Sequence, residues 1–248
     1  MLLVADRTVR RVRTLLIAAC ACLGAVAPLR AAGPAVDSPD ALIDRVLAAH
    51  GGKAALDKVK AYRMEGSVSS VMRGEGATVR TFARPARLKI TLDYPNHPES
   101  RILDGDKGWR SDGKGNMLPA DGFLLTSMTL QAARAAVPWI LDERRATARL
   151  LAPMDGGKLQ GLEIPVGEGL TLTVYADTAT GRVVRSSGVL STRDMKTNFA
   201  TDYSDFRTVD GVLFPFREGN FASNQPTGDT VITRIVVNPP LTDKDFRP

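Results

Sequence analysis

The stretch that decides the fold lies near the end of the chain, in Tyr203-Ser-Asp-Phe-Arg-Thr-Val-Asp-Gly-Val-Leu-Phe-Pro-Phe216. Its Asp210-Gly211 pair is a strong signal for a two-residue hairpin turn, because both residues adopt positive φ easily. We therefore expect a strand on each side of this turn. A last strand, Ile235-Val-Val-Asn238, is then predicted to end at Pro239-Pro240, since proline has no N–H to donate to a sheet.

The same period-two pattern extends backward through most of the chain. Leu88, Ile90 and Leu92 alternate with Lys89 and Thr91, as in a strand with one buried face. Turn signals recur about every ten residues, which is typical of antiparallel sheets. The predicted strands cover residues 62–72, 78–84, 88–94, 101–104, 109–111, 148–152, 159–164, 170–176, 182–190, 198–207, 212–221 and 230–238. The sequence therefore predicts an α+β protein that is mainly antiparallel β.

Two helices are expected before the first strand. Ser38 can cap the helix start and Pro39 suits the first helical position. Apolar residues then recur at helical spacing until Gly51-Gly52 ends the helix. A short second helix is predicted over residues 53–59. His50, where the first helix closes, is expected to contact the helix dipole.

An apolar segment interrupts the strands at residues 123–137 and carries a single formal charge, Arg134. A helix that is apolar on most faces must be covered on most faces. One interpretation is a lid helix across the open mouth of a curved sheet, ended by Pro138. The alternative is an ordinary core helix, which is the usual role of a buried apolar helix.

The first 31 residues have the pattern of a secretory signal peptide. A basic stretch containing Arg7 and Arg13 precedes an apolar segment, Leu15 to Ala27, and small residues at Ala31 and Ala32. That apolar segment is shorter than the roughly 20 residues a bilayer core requires. We expect cleavage after Ala31, a single domain over residues 32–248, and a periplasmic location. The competing interpretation takes Ile17-Ala-Ala-Cys20 as a lipobox, with a lipid anchor on Cys20.

Composition excludes several classes of function. The whole chain has a net charge of +6, but residues 1–31 hold five arginines and one aspartate, so removing them leaves 28 basic and 26 acidic residues, a net charge of +2. No basic stripe interleaved with aromatic residues is present, so no nucleic-acid partner is expected. Both cysteines, Cys20 and Cys22, leave with the leader. The exported domain is therefore expected to be stable without disulfides.

No catalytic or metal-binding constellation is recognisable in the exported domain. Its histidines, His50 and His97, are far apart and belong to no zinc-binding pattern. The segment Asp104-Gly-Asp-Lys-Gly108 hints at a calcium loop, but Gly115 stands where that loop needs a bidentate glutamate. Nucleophile-elbow and phosphate-loop motifs are absent. The sequence predicts no enzyme, no catalytic residue, no metal and no cofactor.

Several segments together resemble a known superfamily. They are the two stretches quoted at the C-terminus and the following four: Leu47-Ala-Ala-His-Gly-Gly-Lys-Ala-Ala-Leu56, Ala61-Tyr-Arg-Met-Glu-Gly-Ser67, Leu103-Asp-Gly-Asp-Lys-Gly-Trp109 and Asp177-Thr-Ala-Thr-Gly-Arg-Val-Val184. Their order and spacing resemble the outer-membrane lipoprotein-sorting, or lipoprotein-carrier (LolA/LolB-like), superfamily. The resemblance implies a half-open β-barrel, here of about 11 strands, with an N-terminal helix and a lid helix over a hydrophobic cavity.

The resemblance also implies a function. Members bind lipids, acylated lipoproteins or other hydrophobic molecules in the bacterial envelope, with inner- or outer-membrane transport partners. A sensor of lipid or misfolded-protein signals on the same fold is the alternative, and an enzyme that uses the cavity is a third possibility. Alternation predicts these cavity residues: Leu88, Ile90, Leu92, Leu124, Leu125, Met128, Leu170, Leu172, Val174, Phe214 and Phe216. A 16-carbon chain buried there would contribute roughly 12 kcal/mol before costs.

Overall fold

The computed structural model describes residue 33, residues 36–191 and residues 196–248. In it, the segments with alternating side chains form the strands of one antiparallel sheet of 13 strands. The strands are β1 (Ala61–Ser70), β2 (Gly74–Ala83), β3 (Arg87–Asp93), β4 (Glu99–Asp104), β5 (Lys107–Ser111), β6 (Met117–Ala120), β7 (Arg149–Leu150), β8 (Leu159–Gly167), β9 (Leu170–Asp177), β10 (Val183–Ser191), β11 (Lys196–Val209), β12 (Val212–Ala222) and β13 (Gln225–Val237). The helices are α1 (Pro39–Ala49), α2 (Lys53–Leu56), α3 (Gly122–Ala135) and α4 (Trp139–Glu143). The prediction of a mainly antiparallel β fold is confirmed.

The two-residue turns near the C-terminus match the prediction. Asp210 and Gly211, both with positive φ, join β11 to β12. Ser223 and Asn224 make a similar turn between β12 and β13. Turns of this kind fit the right-handed twist of antiparallel strands. The last strand ends at Val237, just before the two prolines.

The strand number is a correction, because the sheet has 13 strands rather than about 11. The sequence pattern missed β6, which contains Pro119 and pairs only with β5. Proline cannot donate to a ladder and is tolerated on edge strands, so the residue that hid this strand also suits its position. The other edge, β7, has only two residues.

The sheet is open, and its two edges are consecutive in sequence. Strand order runs from β6 through β1, β13 and β8 to β7, so α3 and α4 connect one free edge to the other. Helix α3 contacts β3, β4 and β5 on one side and β8, β9 and β10 on the other. Both halves of the sheet can reach one helix only if the sheet curves around it.

Two glycines allow α3 to approach the sheet closely. A Cβ at Gly188 in β10 would lie 2.6 Å from Cδ1 of Leu130, and a Cβ at Gly108 in β5 would lie 2.8 Å from Cδ1 of Leu125. These glycines lie in opposite halves of the sheet. Any side chain at either position would require the helix residue to move.

The buried residues of α3 belong to the main hydrophobic core. They lie in its C-terminal half and are Met128, Leu130, Ala132, Ala133 and Ala135. At the N-terminal end, Phe123 is exposed, and Leu124 and Leu125 are half-buried. The helix is therefore a core element along one half and less covered along the other, which combines features of the two interpretations of this segment.

The N-terminal helices follow the predicted signals. Ser38 Oγ accepts a hydrogen bond from the Ala41 N–H, at 3.2 Å, and Pro39 is the first helical residue. His50 closes α1, and Gly51 and Gly52 follow with positive φ. Helix α2 is shorter than expected, ending at Leu56.

The predicted signal peptide and the possible lipid anchor at Cys20 lie outside the described residues. Residues 31–248 form one compact unit. The domain boundary after residue 31 stays a prediction.

Candidate functional site

A cavity of about 220 Å³ lies between the concave face of the sheet and α3. Its walls come from the central strands β1–β3 and β10–β13, from β4, and from the second half of α3. The apolar and aromatic residues that line it are Tyr62, Met64, Val68, Ile90, Leu92, Tyr94, Ala135, Val137, Val183, Tyr203, Phe206, Leu213, Phe214 and Pro215. The polar and charged ones are His50, Thr78, Arg80, Arg101, Gln131, Arg134, Thr201, Glu218, Asn220 and Thr230.

An aromatic cluster forms one end of the cavity. The ring of Tyr62 lies 5.4 Å from Phe82, 6.1 Å from Trp139 and 5.5 Å from Phe214, measured between centroids. The Tyr62 hydroxyl donates to the carbonyl of Ala135 in α3, at 2.7 Å. Burial raises the pKa of Tyr62 well above its usual value, so this hydroxyl stays protonated. The Tyr62 hydrogen bond therefore connects α3 to the aromatic wall of the cavity.

A bidentate ion pair crosses the cavity. Nη1 and Nη2 of Arg80 each lie 2.7 Å from an oxygen of Glu218. Arg80 is in β2 and Glu218 in β12, with β1 and β13 between them, so the strands are three spacings apart, about 14 Å along a sheet. The two side chains meet because both point into the concave face.

Burial and pairing have opposite effects on these two groups. Burial alone would raise the pKa of Glu218, but the charge of Arg80 and its hydrogen bonds outweigh that effect and lower the pKa. Burial likewise opposes ionisation of Arg80, and the attraction of Glu218 raises its pKa overall. Both groups therefore stay charged.

A second arginine faces the same cavity from α3. Arg134 donates through Nη2 to the carbonyl of Phe199 in β11. Its Nε is buried and has no hydrogen-bond partner within the described part of the chain. The same is true of Oε1 of Gln131, three residues earlier on the helix. Burial lowers the pKa of Arg134, although the nearby Tyr203 and Glu218 favour its charged form.

His50 is buried at the edge of the cavity and is neutral. Its Nδ1 donates to the carbonyl of Leu213, at 3.0 Å, and its Nε2 accepts from the Val183 N–H, at 3.2 Å. Burial lowers the pKa of His50. The expected dipole contact at the end of α1 is therefore replaced by a neutral imidazole that joins β10 to β12.

At the β3–β5 end of the cavity, Glu99 is surrounded by arginines. It contacts Arg73 at 2.5 Å, Arg110 at 3.1 Å, and also the cavity residue Arg101. Burial opposes its ionisation, but Arg101 and the other arginines lower the pKa of Glu99 to about 2. One carboxylate and three guanidiniums leave this end of the cavity positive.

The predicted cavity residues separate into three groups. Ile90, Leu92 and Phe214 line the cavity. Leu124 and Leu125 are half-buried against the core and are not among the lining residues. The remaining six are core residues outside the lining: Leu88, Met128, Leu170, Leu172, Val174 and Phe216. Binding of a ligand by any of these eleven stays a prediction.

Leu170, Leu172 and Val174 alternate along β9 and are all buried, so they share one face of the strand. They miss the cavity because α3 packs over β8, β9 and β10 and fills that half of the concave face. Sequence reasoning also missed the charged residues Arg80 and Glu218. One signal was available, because Glu218 follows Phe214 and Phe216 at alternate positions and must share their face.

The comparisons with known proteins find the fold but not the sequence family. No protein-family model matches the chain, and no curated protein matches its sequence. Solved structures do match. A predicted outer membrane lipoprotein-sorting protein domain from Vibrio parahaemolyticus superposes with a TM-score of 0.53 and 10% identity, covering 84% of this chain and 95% of that one.

A LolA superfamily protein from Nitrosomonas europaea superposes with a TM-score of 0.54 and 10% identity, covering 86% of this chain and 99% of that one. The chain therefore has a LolA-like fold. A DUF1329 family protein from Desulfovibrio piger shares the fold with a TM-score of 0.56 and 12% identity, over 86% of this chain and 98% of that chain. The predicted structural resemblance is confirmed over most of the chain.

Two further findings, on membrane-spanning helices and on metal-binding groups, concern the described residues alone. Their helices include none that is long and apolar enough to cross a membrane. Their histidines, aspartates and glutamates form no group of three or more that could hold a metal ion.

Proposed function

We propose that this protein binds the apolar part of a lipid or acylated lipoprotein in the cavity between its sheet and α3, and carries it through the periplasm. The observation that carries this proposal is the cavity itself, on the concave face of a LolA-like sheet. The signal-peptide pattern of residues 1–31 supports export. A transport partner at the inner or outer membrane would then deliver or receive the cargo.

The size of the cavity limits how much of an acyl chain can be buried without rearrangement. At about 30 Å³ for one water-sized group in a liquid, 220 Å³ holds about seven groups. Seven methylenes contribute about 6 kcal/mol before costs, at about 0.8 kcal/mol each. That corresponds to a dissociation constant between millimolar and micromolar. A 16-carbon chain therefore extends beyond this cavity unless α3 moves away from the sheet.

Movement of α3 would also allow release. The helix covers the cavity with residues that are largely buried, so displacing it exposes apolar surface and costs free energy. Binding of a long chain would repay part of this cost by burying its own methylenes. The bound and empty states would then differ little in free energy, which a carrier requires because it must also release its cargo.

The polar groups of the cavity favour binding over catalysis. Both ring nitrogens of His50 are occupied by backbone groups, and both oxygens of Glu218 are held by Arg80. Neither residue is therefore free to take a proton from a substrate. These contacts favour a carrier over an enzyme that uses the cavity.

Native mass spectrometry of the protein purified from a Gram-negative host tests the proposal. We expect a bound species whose mass, after organic extraction, matches a molecule with at least one acyl chain. A protein that purifies without lipid and takes up neither octanol nor a longer alcohol in solution would contradict the proposal.

A further inference from the structure

One guanidinium of the cavity has no carboxylate partner among the described residues. Three arginines line the interior, Arg80, Arg101 and Arg134. Both oxygens of Glu218 are engaged by Arg80, so they form a closed bidentate pair, and Arg101 contacts Glu99. Arg134 is the one of the three that forms no ion pair in the described part of the chain.

The hydrogen bonds of Arg134 are also incomplete. Its Nη2 donates to a backbone carbonyl, but Nε is buried and, among the described residues, without an acceptor. The neighbouring Gln131 Oε1 is buried without a donor. Buried polar atoms in native proteins are usually satisfied, and a buried charge without a counter-charge is costly. Arg134 and Gln131 together therefore offer a donor and an acceptor to something that enters the cavity.

The other groups near Arg134 do not supply a negative charge. Tyr203 is protonated, because burial raises its pKa, and its hydroxyl lies 2.7 Å from Ser186 Oγ. Tyr62 is protonated as well and bonds to the helix backbone. His50 is neutral. None of the described groups near Arg134 supplies the missing counter-charge, so a ligand that enters the cavity would provide it.

We propose that Arg134 receives the anionic head group of the bound molecule, a carboxylate or phosphate monoester attached to the apolar chain. This inference rests on the proposed binding function and adds the chemical class of the ligand. The head group would pair with the Nε side of Arg134, while the chain lies against Ile90, Leu92 and Phe214. A hydroxyl on the head group could donate to Gln131.

Calorimetric titration with short ligands separates the head group from the chain. Octanoate, octyl phosphate and 1-octanol have the same chain and differ in charge, and eight carbons are close to the cavity volume. We expect octanoate or octyl phosphate to bind about tenfold or more tightly than octanol, because hydrogen bonds to a charged group are stronger than neutral ones. Acetate and inorganic phosphate, which lack the chain, should give no measurable binding.

Two variants locate the effect. Arg134→Gln should abolish the preference for the anionic ligands and leave octanol binding within about twofold. Arg217→Gln is the matched control, because it removes the same charge from an exposed position next to Glu218. It should keep the full preference. A preference lost equally in both variants would mean that net charge, not Arg134, recruits the anion, and would overturn the proposal.

The outcomes also distinguish this inference from the proposed function. Equal binding of octanol and both anions by the natural protein would overturn the head-group proposal and leave the carrier proposal standing. Absence of binding by all three would contradict the carrier proposal itself. Thermal unfolding of Arg134→Gln, monitored by circular dichroism, confirms that the variant compared is folded. If it is not, Arg134→Lys replaces it, and this variant should keep a charge preference weakened by the loss of Nε.

Discussion

Arg80 and Glu218 meet across the concave face of the sheet, although two strands, β1 and β13, lie between the strands that carry them. Both guanidinium nitrogens of the pair lie 2.7 Å from carboxylate oxygens, and the pair faces α3 and the cavity. This side-chain contact adds a second connection between β2 and β12, which the backbone ladders through β1 and β13 also join. Its strength should therefore influence both stability and the shape of the cavity.

The first prediction concerns this pair. Arg80→Met or Glu218→Leu alone should lower the free energy of unfolding by about 3 to 5 kcal/mol, because each leaves a buried group without its partner. The double variant Arg80→Met/Glu218→Leu should lose much less, since neither member of the pair is then left as a buried charge without its partner. Urea unfolding of the four proteins gives the coupling energy. Additive losses in the double variant would refute a direct interaction.

The second prediction concerns the close approach of α3 to β10. Gly188→Ala should destabilise the protein by about 1 to 3 kcal/mol, because the new methyl group overlaps Cδ1 of Leu130. In a Leu130→Ala background the added methyl should cost much less, since the overlap with Leu130 is removed and the Thr171 carbonyl oxygen, at 3.1 Å, is the close contact that remains. Gly113→Ala, where no atom lies within 4 Å of the new Cβ, is the control and should change stability little. Chemical denaturation measures all three, and equal effects at positions 188 and 113 would show that the helix is not close to the sheet.

The third prediction concerns acid. Glu99 has a lowered folded-state pKa, about 2, held down against burial by Arg101 and the neighbouring arginines. Its ionised form therefore adds stability above the unfolded value, about 4.5, and this contribution is lost as the pH falls from 4.5 towards 2. We expect Glu99→Gln to be less stable than the natural protein at pH 7 by about 1 to 3 kcal/mol, allowing for solvent screening.

At pH 2.5 that difference should shrink, because the unfolded-state glutamate is then almost fully protonated while about a quarter of the folded-state glutamate is. Urea unfolding at pH 7, 4 and 2.5 measures the difference between the two proteins. A gap that stays constant with pH would mean that the charge of Glu99 contributes nothing. Asp93→Asn, an exposed carboxylate at the end of β3, serves as the control.

The fourth prediction concerns movement of α3. In the pair Leu130→Cys/Gly188→Cys, oxidation should fix the helix to β10, and residues 32–248 contain no other cysteine. The oxidised protein should still bind octanol but bind hexadecanol at least tenfold more weakly than the reduced protein, because the longer chain exceeds the cavity. Adding a reductant to the same sample is the control. Equal uptake of hexadecanol in both redox states would exclude a moving helix.

Local sequence signals predicted the parts of this fold that depend on local chemistry. Asp210-Gly211 specified a turn, Ser38-Pro39 specified a helix start, and the alternation through Leu88, Ile90 and Leu92 specified that these residues share one face of β3. These features need only neighbouring residues, so sequence is sufficient for them. The edge strand around Pro119 was missed, since its pairing with β5 outweighs its poor strand propensity.

The site depended on contacts that sequence does not display. Leu170 and Leu172 share one buried face of β9, but whether a residue on that face meets a cavity depends on where α3 packs. The pairing of Arg80 with Glu218 joins residues 138 positions apart and follows from the curvature of the sheet. Arg134 was visible as the single charge of an apolar helix, but its incomplete hydrogen bonding appears only in three dimensions.

The proposed function requires that the cavity beneath α3 takes up an apolar chain. A single substitution that fills the cavity tests this uptake. Leu92→Trp places a large side chain in the lining, whereas Thr91→Trp, one residue earlier on the same strand, points to the other face. Calorimetric titration with 1-octanol compares both with the natural protein. We expect Leu92→Trp to bind octanol at least tenfold more weakly and Thr91→Trp to bind it as the natural protein does. Unchanged octanol binding by a folded Leu92→Trp protein would show that the chain is not taken up in this cavity.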